Sequence, residues 1–149
     1  MDDTIEKLHR EVTEFAKKYQ LRRTSDLACP SLNVSQAYAL GELIKGSKSM
    51  SELASYLRVS LGSATKIVDS LELLGFVKRK IDQNDRRSFV VSPTSKGAKT
   101  FSDLQKKFQS HLSNELANIP KNELTQICDG LAIINEAIDS WRDQLEETQ

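Results

Sequence analysis

Cysteine, histidine, proline and aromatic residues are all scarce in this sequence. Its 149 residues include two cysteines, two histidines and three prolines, and 6% of them are aromatic. Cys29 and Cys128 lie 99 positions apart and form no CxxC pair, so we expect free thiols rather than a disulfide bridge. His9 and His111 belong to no cluster of histidine and cysteine, which disfavours a metal site, and we expect no cofactor.

Long hydrophobic runs and enzyme signatures are missing as well. No apolar stretch approaches the roughly 20 residues that a membrane-spanning helix needs. The acidic, amphipathic start MDDTIEKLHREV does not resemble a signal peptide, so we expect a cytoplasmic protein with no membrane partner. The sequence has neither the GxxxxGK[ST] spacing of a P-loop nor a GxSxG elbow, and its distant histidines suggest no catalytic triad. These absences disfavour an enzyme.

Net charge is zero over the whole chain, but the charges are unevenly distributed. The stretch from Lys45 to Lys99 holds 11 basic and 5 acidic residues, whereas the rest of the chain holds 10 basic and 16 acidic residues. A basic middle between acidic ends predicts a module that binds a polyanion, carried by flanking segments that do not.

Apolar residues recur at steps of three and four near both ends of the chain, which predicts two amphipathic helices. The second helix follows Pro120, and three heptads of apolar residues along it are typical of a seam between helices. Packing within one chain is one interpretation, but we favour a homodimer formed by residues 1–27 and 94–149. The predicted dimerisation residues are Ile5, Leu8, Val12, Leu124, Ile127, Leu131, Ile134, Ile138 and Trp141.

The middle of the chain carries helix start signals at short intervals. Asn33 with Gln36, and Ser49 with Glu52, have the spacing of capping boxes. Ser60 begins a third helix, and glycines follow the first and third of these helices as stop signals. Two short β-type runs, FVKRKI and SFVVS, come next, before another long helix. Two short helices joined by RVS and followed by a hairpin form the pattern of a winged helix.

Residues 50–97 resemble the winged-helix core of the multiple-antibiotic-resistance regulator (MarR) family. The matching elements are ELA, L.VS, T..VD.LE..G.V.R, DRR...V and T..G, and they occur in this order. The flanking helices also fit the family. The resemblance implies a mainly α fold with a small β-hairpin wing. It also implies a single domain over residues 1–149, in which residues 33–93 form the DNA-binding lobe and the helices on either side dimerise.

The resemblance and the basic middle together predict double-stranded DNA as a partner. The third helix would enter the major groove, while a wing arginine would enter the minor groove. The predicted DNA-binding residues are Ser60, Gly62, Ser63, Thr65, Lys66, Arg79, Arg86 and Arg87. The resemblance further implies that Asp85 shapes the wing by pairing with Arg87, and which wing arginine inserts stays open. Pro93 stands where the family usually has leucine, and we expect the second strand to end at Ser92.

Regulators that this chain resembles are usually homodimeric repressors, which bind a pseudo-palindromic operator and are released by a small-molecule effector. Candidate residues for an effector pocket are Phe15, Tyr19, Tyr38, Leu43 and Phe108, although each of them also suits the core. Two alternatives stay open. The winged helix could be a protein–protein interaction module, or the chain could be a repressor that senses oxidants through Cys29.

Overall fold

A computed structural model describes residues 2–25, 32–82 and 89–146. In chain order these residues form helices α1 (Asp3–Ser25) and α2 (Val34–Lys45), strand β1 (Lys48–Ser49), helices α3 (Met50–Leu57) and α4 (Leu61–Leu73), strands β2 (Val77–Ile81) and β3 (Phe89–Pro93), and helices α5 (Ser95–Glu115) and α6 (Lys121–Glu146). The chain divides into two compact units, Met1–Phe108 and Gln109–Gln149. The fold is mainly helical with one small sheet, as predicted.

Both predicted capping boxes are present. The Asn33 side chain accepts a hydrogen bond from the Gln36 N–H at 2.9 Å, and the Asn33 N–H donates to the Gln36 side chain at 2.8 Å. Ser49 and Glu52 exchange the equivalent bonds at the start of α3. Ser60 caps α4 by accepting from the Ser63 N–H at 3.2 Å. Because each cap satisfies backbone N–H groups at a helix start, the helices begin where these side chains stand.

The sheet has the order β1-β3-β2, and both neighbours run antiparallel to β3. Strands β2 and β3 form the predicted hairpin, whose register pairs Val77 with Pro93 and Ile81 with Phe89. Pro93 is therefore the last residue of β3, one residue beyond the predicted end, since a proline at the end of a strand leaves the rest of the ladder intact. Strand β1 was not predicted, because two residues carry no periodicity of their own.

The core of the first unit lies where α2, α3 and α4 pack with the sheet. Its largest fully buried side chains are Leu40, Leu43, Leu53, Val68, Leu71 and Val91. On α4 the buried positions Ala64, Val68 and Leu71 follow helical spacing, so they fix which face of that helix points outward.

The start of α5 packs closely against the residues that follow α4. The Thr94 side chain donates a hydrogen bond to the Gly75 carbonyl at 2.7 Å and accepts one from the Gly97 N–H at 3.0 Å. A Cβ atom on Gly97 would lie 2.0 Å from the Phe76 carbonyl oxygen, so only glycine fits this approach. Gly75 has a φ of +75°, which explains its role as the stop signal after α4.

The apolar stripes of α1 and α6 are largely uncovered. Among the described residues of α1 none is buried, and Ile5 and Phe15 are each 54% exposed. On α6, considered separately, Ile127, Leu131 and Ile138 are exposed, while Leu124 and Ile134 are half-buried. Both helices were predicted, and the burial shows that their apolar faces are not sealed by the rest of their own unit.

Candidate nucleic-acid interface

Five of the eight residues predicted to bind DNA lie at the N-terminal end of α4, where Ser60 is the N-cap. Ser60, Gly62, Ser63 and Lys66 are exposed, because the buried positions of the helix lie on its other side. Thr65 is half-buried, and its hydroxyl donates to the Leu61 carbonyl at 2.8 Å. The structure therefore brings these predicted residues together on the first two turns of one helix.

The start of α4 combines a fixed cap with open space. The Ser60 hydroxyl accepts from the Ser63 N–H and donates to the Ser63 hydroxyl at 3.0 Å, so its position is set by the helix. A Cβ atom on Gly62 would meet nothing within 4 Å, which leaves room for a close approach to the backbone. Lys66 forms no ion pair with the described residues, so its ammonium group can neutralise an external anion.

Strand β2 presents its cations to two different sides. Side chains alternate along a strand, so Lys78 and Lys80 share one face and are exposed, while Arg79 lies on the other. The Arg79 guanidinium forms ion pairs with Asp69, at 2.6 Å, and with Glu72, both on α4. The hydrogen bond to Asp69, together with the charges of both carboxylates, raises the pKa of Arg79.

Sequence reasoning missed this ion-pair cluster, although a signal for it was present. Asp69 and Glu72 are three residues apart on a helix and so lie on one face, and Arg79 follows in the next element. The DNA contact predicted for Arg79 stays a prediction.

The chain is similar in sequence and in fold to known transcriptional regulators. YfiV of Bacillus subtilis (strain 168), named as an uncharacterized HTH-type transcriptional regulator, is 34% identical over 95 residues, which are 64% of this chain and 59% of that protein. The curated relatives are matched over only 55–64% of their own length. A family model described as "MarR family" matches residues 31–88, the stretch that contains α2 to β2. The chain therefore contains a segment that is similar to the MarR family.

Solved structures of MarR proteins share its fold. A MarR family protein from Bacillus stearothermophilus is 18% identical, with a TM-score of 0.81 over 93% of this chain and 99% of that chain. Wild type MarR (apo form) from E. coli is 22% identical, with a TM-score of 0.73 over 85% of this chain and 96% of that chain. The predicted winged-helix fold class is thereby confirmed.

The tip of the wing lies outside the described residues. It contains Asp85, Arg86 and Arg87, so the predicted pairing of Asp85 with Arg87 stays a prediction. Cys29 also lies outside the described residues. Cys128 is an exposed free thiol on α6.

The residues predicted for an effector pocket occupy different environments. Leu43 is fully buried and belongs to the core, the alternative that the sequence also allowed. Phe15 and Tyr38 are exposed, Phe108 is half-buried, and the side chain of Tyr19 lies outside the described part. A groove of about 400 Å³ lies in the second unit, and none of the four described side chains among these residues lines it. Its lining consists of Gln109, Leu112, Ser113, Leu116, Ala117, Ile119, Lys121 and Leu124.

Metal-binding clusters and membrane-spanning helices are both absent from the part of the chain that the structure describes. No group of three or more histidine, cysteine or carboxylate side chains there could hold a metal ion. Within the same residues, no helix is both long enough and apolar enough to cross a membrane.

Proposed function

We propose that this chain is a DNA-binding transcriptional regulator. The observation that carries the proposal is the exposed N-terminal half of α4 beside a hairpin wing, within the segment that matches the MarR family. An α-helix fits the major groove, where every base pair presents a distinct pattern of donors and acceptors. The YfiV relative, whose name describes a transcriptional regulator, supports the same assignment.

The cations around this surface supply the affinity. Lys66, Lys78 and Lys80 are exposed and form no ion pair with the described residues, so each can neutralise a phosphate. Ser63 can donate to phosphates or base edges, and Gly62 lets the backbone come close. The Thr65 hydroxyl donates its proton to the Leu61 carbonyl, so it can accept a hydrogen bond from a base. Arg86 and Arg87 at the tip of the wing would reach the minor groove.

The regulator acts as a homodimer built from α1, α5 and α6. The exposed apolar stripes of α1 and α6 support this assembly, because a monomer would leave them in water. A two-fold symmetric dimer presents two recognition helices, so its operator is a pseudo-palindrome with half-sites about one helical turn apart. Occupying a promoter in this way represses transcription.

A small molecule releases the repressor if it binds better to a dimer whose recognition helices have the wrong separation. Phe15, Tyr38 and Phe108 are the candidate contacts that the sequence proposes among residues that are not buried. A thiol-based release through Cys29 is the alternative trigger. Replacing Cys29 with serine separates the two, because only a thiol sensor would lose its response to peroxide.

The decisive experiment selects bound fragments from a random-sequence duplex library with the purified chain, at two salt concentrations. We expect a short inverted repeat to be enriched and the affinity to fall with salt, with a slope of about −0.9 for each neutralised phosphate. Salt-sensitive binding without an enriched motif would leave only a nonspecific binder. A folded dimer that retains no DNA at low salt would favour a protein–protein interaction module.

A further inference from the structure

A carboxylate stands on the surface of α4 that would face DNA. Gly62, Lys66 and Asp69 are spaced at four and three residues, so they follow one another along the exposed side of the helix. Asp69 is exposed and would repel a nearby phosphate. Placing a negative charge on this surface is therefore unfavourable for DNA binding unless the carboxylate does something else.

Asp69 is held by a cation from the wing. The Arg79 guanidinium donates to Asp69 at 2.6 Å through one nitrogen and to Glu72 through the other, so it bridges two adjacent turns of α4. The Arg79 backbone N–H also donates to Glu72, at 3.3 Å. Three hydrogen bonds thus join one residue of β2 to two residues of α4.

The position of Arg79 within the sheet suits this connection. Arg79 pairs with Val91, which is fully buried, so both side chains lie on the face of the hairpin that packs towards the core. The Arg79 side chain is only 30% exposed, whereas its neighbours Lys78 and Lys80 are exposed on the opposite face. Of the three cations on β2, Arg79 is the one directed at the recognition helix.

We propose that Arg79, Asp69 and Glu72 form a clamp that fixes the wing relative to the recognition helix, and that Asp69 therefore strengthens DNA binding despite its charge. Arg79 is a positioning residue in this clamp. The inference rests on the proposed function, since it concerns affinity for the operator. A wing held at one angle loses less conformational freedom when it enters the groove beside the helix.

Two physical roles for Arg79 predict opposite signs for the variant Asp69→Asn. If Arg79 contacts a phosphate directly, removing the neighbouring carboxylate frees its charge and tightens DNA binding. If Arg79 acts through the clamp, Asp69→Asn weakens DNA binding by about tenfold, the effect expected for one lost charge-assisted hydrogen bond. The sign of this change therefore distinguishes the two roles.

The experiment measures operator affinity at several salt concentrations for the unaltered chain, Asp69→Asn, Arg79→Gln and the double variant. We expect both single variants to bind more weakly with an unchanged salt slope, and the double variant to bind no worse than Arg79→Gln alone. Lys80→Gln is the matched control on the same strand. It should lower the magnitude of the salt slope by about 0.9, because it removes a direct phosphate contact.

Further variants distinguish a folding defect from loss of the clamp, and DNA binding by the unaltered chain tests the proposed function itself. Asp69→Glu keeps the charge and should restore most of the affinity, which mere loss of stability would not allow. Glu72→Gln repeats the test if Asp69→Asn does not fold. An unaltered chain that binds no duplex overturns both the proposed function and the clamp. An unaltered chain that binds, with Asp69→Asn binding equally well or more tightly, overturns the clamp alone.

Discussion

Arg58 occupies a backbone conformation that usually belongs to glycine. It ends α3 with a φ of +55°, and among the described residues it is the one non-glycine residue with a positive φ. A left-handed conformation costs a residue with a Cβ atom roughly 1–2 kcal/mol. The side chain of Arg58 is exposed, so its packing does not offset this cost. The turn between α3 and α4 is therefore less stable than it would be with glycine at position 58.

We predict that Arg58→Gly raises the free energy of unfolding by roughly 0.5–1 kcal/mol, because glycine removes the strain but gains chain entropy when unfolded. Unfolding in urea measures the change. Arg58→Ala is the control, since it removes the same charge and keeps the Cβ atom. Equal stability of the alanine and glycine variants would show that the turn is not strained.

Gly97 gives a second prediction at the scale of the residue. Gly97→Ala should lower the free energy of unfolding by about 3 kcal/mol or more. The new Cβ would overlap the Phe76 carbonyl and push the start of α5 away from it. Gly130→Ala on α6 should instead stabilise its helix by about 1 kcal/mol, since nothing lies within 4 Å of that Cβ. Thermal unfolding of both variants tests the pair, and a Gly97→Ala variant as stable as the parent would contradict the close packing.

At the scale of elements, short-range signals explain which helices form and where they begin. The caps at Asn33, Ser49 and Ser60 were predicted because each joins groups only three residues apart. Strand β1 could not be predicted in the same way. It pairs Lys48 with Val91, a contact that exists only after the hairpin has folded beside α2 and α3.

Glu42 joins α2 to β1 and makes the stability of this region depend on pH. Its carboxylate lies 2.9 Å from the Lys45 ammonium and 3.5 Å from that of Lys48. The hydrogen bond to Lys45, followed by the charges of both lysines, lowers the pKa of Glu42 even though partial burial opposes the shift. A lowered pKa in the folded state means that the ionised carboxylate stabilises the fold.

This stabilisation is fully present above the ordinary pKa of glutamate and is lost as the pH falls through the lowered folded value. We therefore predict that the parent chain loses more stability between about pH 5 and pH 3 than Glu42→Gln does. Urea unfolding at a series of pH values provides the measurement. Glu123→Gln serves as the control, because Glu123 is exposed on α6 and forms no ion pair with described residues. Parallel pH profiles for the parent and Glu42→Gln would contradict the prediction.

At the scale of the whole molecule, the exposed apolar stripes of α1 and α6 indicate that another protein surface covers them. The large apolar side chains along α1 and α6 stay about half exposed, so a single chain leaves much apolar surface in contact with water. The regular spacing from Leu124 to Ile138 matches the seam of a two-stranded packing. Both features support a second copy of the chain.

We predict that Ile134→Asp converts the proposed dimer to a monomer, because it places an unpaired charge within the seam. Ile133→Asp is the matched control. Ile133 lies one residue away, off the stripe, and is 67% exposed, so its replacement should leave the dimer intact. Sedimentation equilibrium measures the mass of each variant. A folded Ile134→Asp dimer would remove this residue from the seam.

The sequence by itself determined the helices, their caps and the winged-helix pattern, because periodicity and capping depend on residues a few positions apart. Only the tertiary structure decided the partners of Arg79, the burial of Leu43 and the third strand of the sheet. These features depend on which faces of α4, β2 and α2 meet when the core closes. Alternation along β2 separates Arg79 from Lys78 and Lys80, yet only the packed sheet shows that Arg79 points towards the carboxylates of α4.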